Sequence, residues 1–100
     1  MADYASGMIT AFVLVEARPD AIADLAPSIA EIVGVREAHS VAGGDTDLLA
    51  VLRVPDHAAI ADVVTEHIAR LPGVSSTRTM IAFRSYSSEQ LDAGYEGFGD

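Results

Sequence analysis

Gly43-Gly44-Asp45-Thr46-Asp47 is the stretch whose residue types are equipped for chemistry: two carboxylates, a hydroxyl and a run of backbone N–H groups lie close together. Glycines adopt backbone angles that other residues avoid, so successive N–H groups can turn toward one point and accept an anion. An aspartate beside them can take an ammonium. The loop therefore has the parts to grip a zwitterion such as an amino acid, although a Gly/Asp cluster is ordinarily a solvated turn. Thr77 and Thr79 add a second group. They alternate, so their hydroxyls share one face of a strand otherwise rich in Val, Ile and Phe. Hydroxyls on such a strand need partners from the protein or from a ligand, although threonine also suits a strand for its own sake. Gly43, Gly44, Asp45, Asp47, Thr77 and Thr79 are the candidate ligand-binding residues.

Nothing comparable points to catalysis. His39, His57 and His67 fall on a strand, at a helix start and on a helix face, without ligand spacing, so no metal site is expected. His57 reads as an exposed first-turn residue. His67, among Val63, Val64, Ile68 and Leu71, reads as a semi-buried packing residue. No glycine-rich phosphate cradle precedes a helix, no Ser/His/Asp arrangement follows from spacing, and there is no cysteine for thiol or thiolate chemistry. Neither a catalytic residue nor a cofactor is expected.

The elements that must position the loop follow from periodicity. Met8 to Val15 is apolar in both alternation classes and predicts a strand buried on both faces. Pro19-Asp20 opens a helix, with Asp20 suited to capping it, and Ile22, Leu25, Ile29, Ile32 and Val33 share its face. Pro27 interrupts that face, at a cost of roughly 3 kcal/mol inside a helix. Ser28 with Glu31 makes a capping-box pattern, so a kink or restart is expected there. Val35–Val41 and Leu48–Val54 flank the loop as a hairpin. A second helix follows Pro55-Asp56, with Ile60, Val63, Val64, His67, Ile68 and Leu71 at helical spacing. Pro72-Gly73 stops it, and Val74 to Arg84 returns to strand. Thr77, Thr79, Ile81 and Phe83 fall on one face of that strand; Arg78, Met80, Ala82 and Arg84 fall on the other.

The order strand, Pro-Asp helix, Gly-Val strand occurs twice, which predicts an α+β fold on the ferredoxin-like plan β-α-β-β-α-β. Both helices then cover one sheet face. The two most apolar strands are central and greasy on both sides, so the bare face should pair with that of a second subunit in a homo-dimer. The second and fourth strands are opposite edges of such a sheet, so a site using the loop and the threonines is more easily built between subunits than within one. The domain is expected over residues 8–86, with residues 1–7 a lead-in and 87–100 an acidic, Gly-rich tail. Tyr86 just before it and Leu91, Tyr95 and Phe98 within it are placed to reach a neighbour, with disorder beyond about Ala93 as the open alternative.

Composition narrows the partners. Six arginines against fifteen acids, with no lysine, give a formal charge of −9, which repels phosphate backbones; direct nucleic-acid binding is not expected. No apolar run is long enough to span a bilayer, so no membrane partner is expected and the cytoplasm is the expected location.

Val35-Arg36-Glu37-Ala38, Ser40-Val41-Ala42-Gly43, Asp47-Leu48, Arg53-Val54-Pro55 and Leu71-Pro72-Gly73-Val74 with Thr77-Arg78-Thr79 together resemble the ligand-binding (RAM) domain of the Lrp/AsnC, or feast/famine, regulators. The likeness covers roughly Met8 to Tyr86. It implies a sandwich that dimerises through its sheets into a dimeric α/β barrel, often in rings of dimers, with amino-acid or related effectors between dimers near the loop and the Thr-x-Thr strand. Gly43, Gly44, Asp47, Thr77 and Thr79 match the family positions. The family's Gly-x-Tyr-Asp loop has lost its aromatic here, and either Gly43 or Gly44 matches its glycine. No helix-turn-helix precedes the first strand, as in a stand-alone form that modulates transcription through full-length regulators. Two rivals remain: a small dimeric α/β-barrel enzyme of monooxygenase or isomerase type, with His67 in a pocket between sheet and helices, and a purely structural oligomerisation module.

Overall fold

A computed structural model describes residues 7–88. Four antiparallel strands form one sheet in the order β2-β3-β1-β4, with β1 at Ile9–Ala17, β2 at Val35–Ser40, β3 at Leu48–Val54 and β4 at Val74–Ile81. A 3-10 turn at Pro19–Ala21 leads into helix α1, Ile22–Ala30, between β1 and β2. Helix α2, His57–Ala61, connects β3 to β4 and continues through a π-helical segment at Asp62–His67 and a 3-10 turn at Ile68–Arg70. This is the ferredoxin-like β-α-β-β-α-β plan, with the two most apolar strands central. Among the described residues no helix is long and apolar enough to cross a membrane.

Strict alternation decides which side of the sheet the helices cover. Ala11, Val13 and Val15 of β1 and Leu48, Ala50 and Leu52 of β3 are fully buried, and pack with Leu25 and Ile29 of α1 and Ile60, Val63 and Ile68 of the second helical stretch. Their neighbours Phe12, Leu14, Leu49 and Val51 point to the other side and are half-buried, joined by the exposed Met80. The expected burial of β1 on both faces is thus met on one face within a single chain. Direct antiparallel partners share a face, and Phe12 pairs with both Val51 and Met80 while Leu14 pairs with Leu49, so these five side chains form one apolar patch.

The helix ends depart from expectation in instructive ways. Asp56 caps α2, accepting the Ala59 N–H at 2.8 Å. Asp20 does not cap α1: Ala21 holds the cap position of α1 and Arg18 that of the 3-10 turn before it, neither with a side-chain cap bond, while Arg18 Nε donates to Asp20 at 3.1 Å. Nor does α1 restart at Ser28. Its hydroxyl donates back to the Asp24 carbonyl at 3.1 Å, and the helix runs through Pro27 to Ala30, with the Pro27 carbonyl still accepting the Glu31 N–H at 3.2 Å. Strand β4 stops at Ile81, short of Arg84, and Phe83 is fully exposed.

His67 is exposed and not packed, its Nε2 lying 3.6 Å from Asp62. The π-helical segment explains the error. A wider turn aligns residues five apart, and Val63 and Ile68 are both buried, so His67, four from Val63, rotates off the packing face. At Gly73 the chain turns with φ 100°, and a Cβ there would collide with the Ala21 side chain, which packs the β4 entry against the α1 entry. Of the tail residues singled out in the sequence, Tyr86 is exposed, while Leu91, Tyr95 and Phe98 lie outside the described residues.

Candidate functional site

The hairpin loop is built from its two ends. The Val41 N–H donates to the Asp47 carbonyl at 3.0 Å and closes it; the Asp47 N–H donates to the Val15 carbonyl at 2.9 Å and fastens it to the central strand. The Asp47 carboxylate completes the clasp, with Oδ2 accepting the Ala17 N–H at 2.9 Å. That bond lies where the β1–β4 register slips between Glu16 and Ala17. At the tip, Gly43 and Gly44 take φ of 133° and 60°, with open space around both. The backbone there is shaped by conformation alone, which only glycine adopts cheaply.

Asp45 and Thr46 overhang a cavity of about 240 Å³, lined otherwise by Leu14, Val15, Glu16, Ser76 and Arg78. It opens on the sheet face that the helices leave bare, since Leu14 pairs with Arg78 and Glu16 with Ser76 across β1 and β4. The Ser76 hydroxyl donates to Glu16 Oε1 at 2.9 Å, fixing that carboxylate. Arg78 makes no ion pair among the described residues. Charges of both signs therefore line one polar cavity without cancelling each other. A site of this kind suits a small ligand carrying both a cation and an anion.

The candidate residues separate into two groups. Gly43, Gly44, Asp45 and Asp47 are together in the loop; Asp45 faces the cavity, while Asp47 holds the loop in place. Thr77 and Thr79 pair with Val15 and Val13, so they point to the helix side, across the sheet from this cavity. Thr77 is half-buried and Thr79 exposed, because β4 is an edge strand that the helices cover only in part. Glu16, Ser76 and Arg78 are not among the residues singled out from the sequence, and Thr46 figures there only as a loop hydroxyl. Arg78 lies between the two threonines, and only the strand register reveals that it meets Leu14 and neighbours Glu16. A second cavity, about 440 Å³, lies on the helix side between Arg18, Asp20, Asp24, Ser28 and Leu71 and contains none of the candidate residues. His67 lines neither cavity. No group of three or more metal-ligating side chains occurs among the described residues.

Comparison with known proteins places this geometry. The sequence model of the Lrp/AsnC ligand binding domain matches residues 10–91. An uncharacterized HTH-type transcriptional regulator of Pyrococcus furiosus is 36% identical over 83 residues, covering 80% of this chain and 55% of its own. The chain thus spans about half the length of that relative. The crystal structure of TTHA0845 from Thermus thermophilus superposes with a TM-score of 0.74 at 44% identity, covering 79% of this chain and 98% of that one. A Neisseria meningitidis transcriptional regulator, NMB0573, solved as a complex with L-Met, shares the fold with a TM-score of 0.74 at 21% identity, over 87% of this chain and 57% of its own. With its ferredoxin-like sheet, its clasped hairpin loop and a family match over residues 10–91, the chain belongs to the Lrp/AsnC ligand-binding-domain family.

Proposed function

We propose that this chain is an effector-sensing module that binds an amino acid or related small molecule between subunits and conveys its presence to transcription by assembling with full-length Lrp/AsnC regulators in the cytoplasm. It carries out no reaction. The observation that carries this reading is the cavity beneath Asp45 and Thr46, with an arginine and carboxylates on one polar wall. Two further facts support it. The neighbouring structure from Neisseria meningitidis was solved with L-Met, and TTHA0845 is matched over nearly all of its length.

Assembly follows from the bare face. Phe12, Leu14, Leu49, Val51 and Met80 form a patch that pairing with a second copy would cover, and the cavity opens on that same face. Thr77 and Thr79, across the sheet, reach a ligand at this loop only from another subunit, as in a ring of dimers. The enzyme alternative has no comparable support, because His67 is exposed and outside both cavities. A thermal-shift screen against the twenty amino acids tests the reading. Saturable stabilisation by one or a few is expected, and stabilisation by none would overturn it.

A further inference from the structure

We propose that Arg78 and Glu16 are the two anchors of the cavity, Arg78 for a carboxylate and Glu16 for an ammonium, so that the ligand must present both charges unblocked. The inference rests on the amino-acid reading above and deepens it by fixing which side chains recognise which end of the ligand.

The geometry sets the two anchors apart by the right amount. Glu16 pairs with Ser76 and Leu14 with Arg78, so Arg78 sits diagonally from Glu16 on the adjacent strand and the same face. Diagonal neighbours have Cα atoms roughly 7–8 Å apart. Long side chains converge across that span, yet no ion pair joins these two, although both line the same cavity. Among the described residues neither is ion-paired, which leaves a place between them for a ligand. Ser76 strengthens the arrangement. Its hydroxyl holds Glu16 Oε1 at 2.9 Å, which orients the carboxylate and leaves its other oxygen to accept from a ligand ammonium. The planar guanidinium of Arg78 takes a carboxylate through two parallel N–H donors, a geometry that no lysine reproduces. Thr46 and Asp45 close the space from the loop side, and the Asp47–Ala17 clasp keeps them there. Both anchors are exposed in the single chain, where one charge contact is worth little. Two opposite contacts to one rigid ligand add, and a ligand with a single charge forfeits one of them.

The site is also selective by what it lacks. Among the lining residues only Leu14 offers an apolar side chain, since that of Val15 is buried on the helix side, so recognition lies in the charged α-carbon groups and leaves the ligand side chain to the open end. A peptide, an N-acyl amino acid and an amino-acid amide each lose an anchor.

The test is calorimetric titration of the full chain with the twenty L-amino acids. Each binder is followed by its N-acetyl derivative and its α-carboxamide, on the parent chain and on R78Q and E16Q, with circular dichroism confirming that the variants fold. Both blocked derivatives, and both variants, are expected to weaken binding tenfold or more, with R78K recovering less than half of the loss. An amino acid that binds the parent chain, R78Q and E16Q with equal affinity would overturn the anchoring and leave the effector-sensing reading standing. Tight binding of the N-acetyl derivative or the carboxamide would overturn it too. Binding of no amino acid at all would bring down both.

Discussion

The Asp47 carboxylate and the Ala17 backbone N–H meet at 2.9 Å, tying the tip-bearing end of the hairpin loop to the last residue of the central strand. Asp47 Oδ2 holds the loop to the strand, and Asp45 is the loop carboxylate that lines the cavity. Loss of the clasp frees an amide at a point where the strand register already slips. Asp47→Ala is expected to cost about 1.5–3 kcal/mol of stability, the range for a hydrogen bond to a charged group. Asp47→Asn keeps an acceptor and should cost less. Urea denaturation of both variants checks the order, and an Asp47→Ala chain as stable as its parent would remove the clasp from the account.

Asp56 and Asp20 open the two helical stretches in the same Pro-Asp setting, but only Asp56 caps, through Ala59 at 2.8 Å. Asp56→Ala should destabilise by about 1 kcal/mol. Asp20→Ala removes only an exposed pair with Arg18 and should stay within about 0.5 kcal/mol. The two midpoints, measured side by side, decide whether identical sequence signals have different energetic weight.

Gly73 and Gly44 are both left-handed, but for different reasons. A side chain at Gly73 strikes Ala21, whereas one at Gly44 meets open space. Gly44→Ala should cost about 1 kcal/mol, the conformational term alone. Gly73→Ala adds overpacking worth about 1–3 kcal/mol. Thermal unfolding of the two variants should rank them in that order.

Val51 lies at the middle of the bare patch, opposite Phe12 and Glu37. An aspartate there would bury an unpaired charge in any sheet-to-sheet dimer, at a cost of several kcal/mol, while remaining half-solvated in the monomer. Val51→Asp is expected to turn a dimer into a folded monomer in sedimentation experiments. A parent chain that sediments as a monomer at all concentrations would defeat the pairing outright.

The fold was legible because its signals were redundant. The apolar stretch of Met8 to Val15, the nearly all-apolar run of Leu48 to Val54 and the Gly-Asp turn between the hairpin strands all pointed the same way. The second helix was read by α-helical spacing, and the π-helical segment defeated that reading at His67, since periodicity counted at 3.6 residues per turn misassigns a residue once the turn widens. The site was half legible. Local chemistry marked Asp45 and Asp47, yet their division of labour depends on Ala17, thirty positions away. Arg78 and Glu16 carry no local signature at all; they become neighbours only when β1 and β4 find their register.

The widened turn at Asp62–His67 also acts as slack in the chain's length. It holds one residue more than an ordinary helix needs between the inward-facing Val63 and Ile68. Deleting Thr65, whose hydroxyl already leans back on the Ala61 carbonyl at 2.6 Å, would let the segment rewind while those two stay aligned. The same deletion inside β1 would invert every side chain beyond it. Relatives differing by one residue in length can therefore absorb the difference in this turn without disturbing the sheet or the cavity it carries.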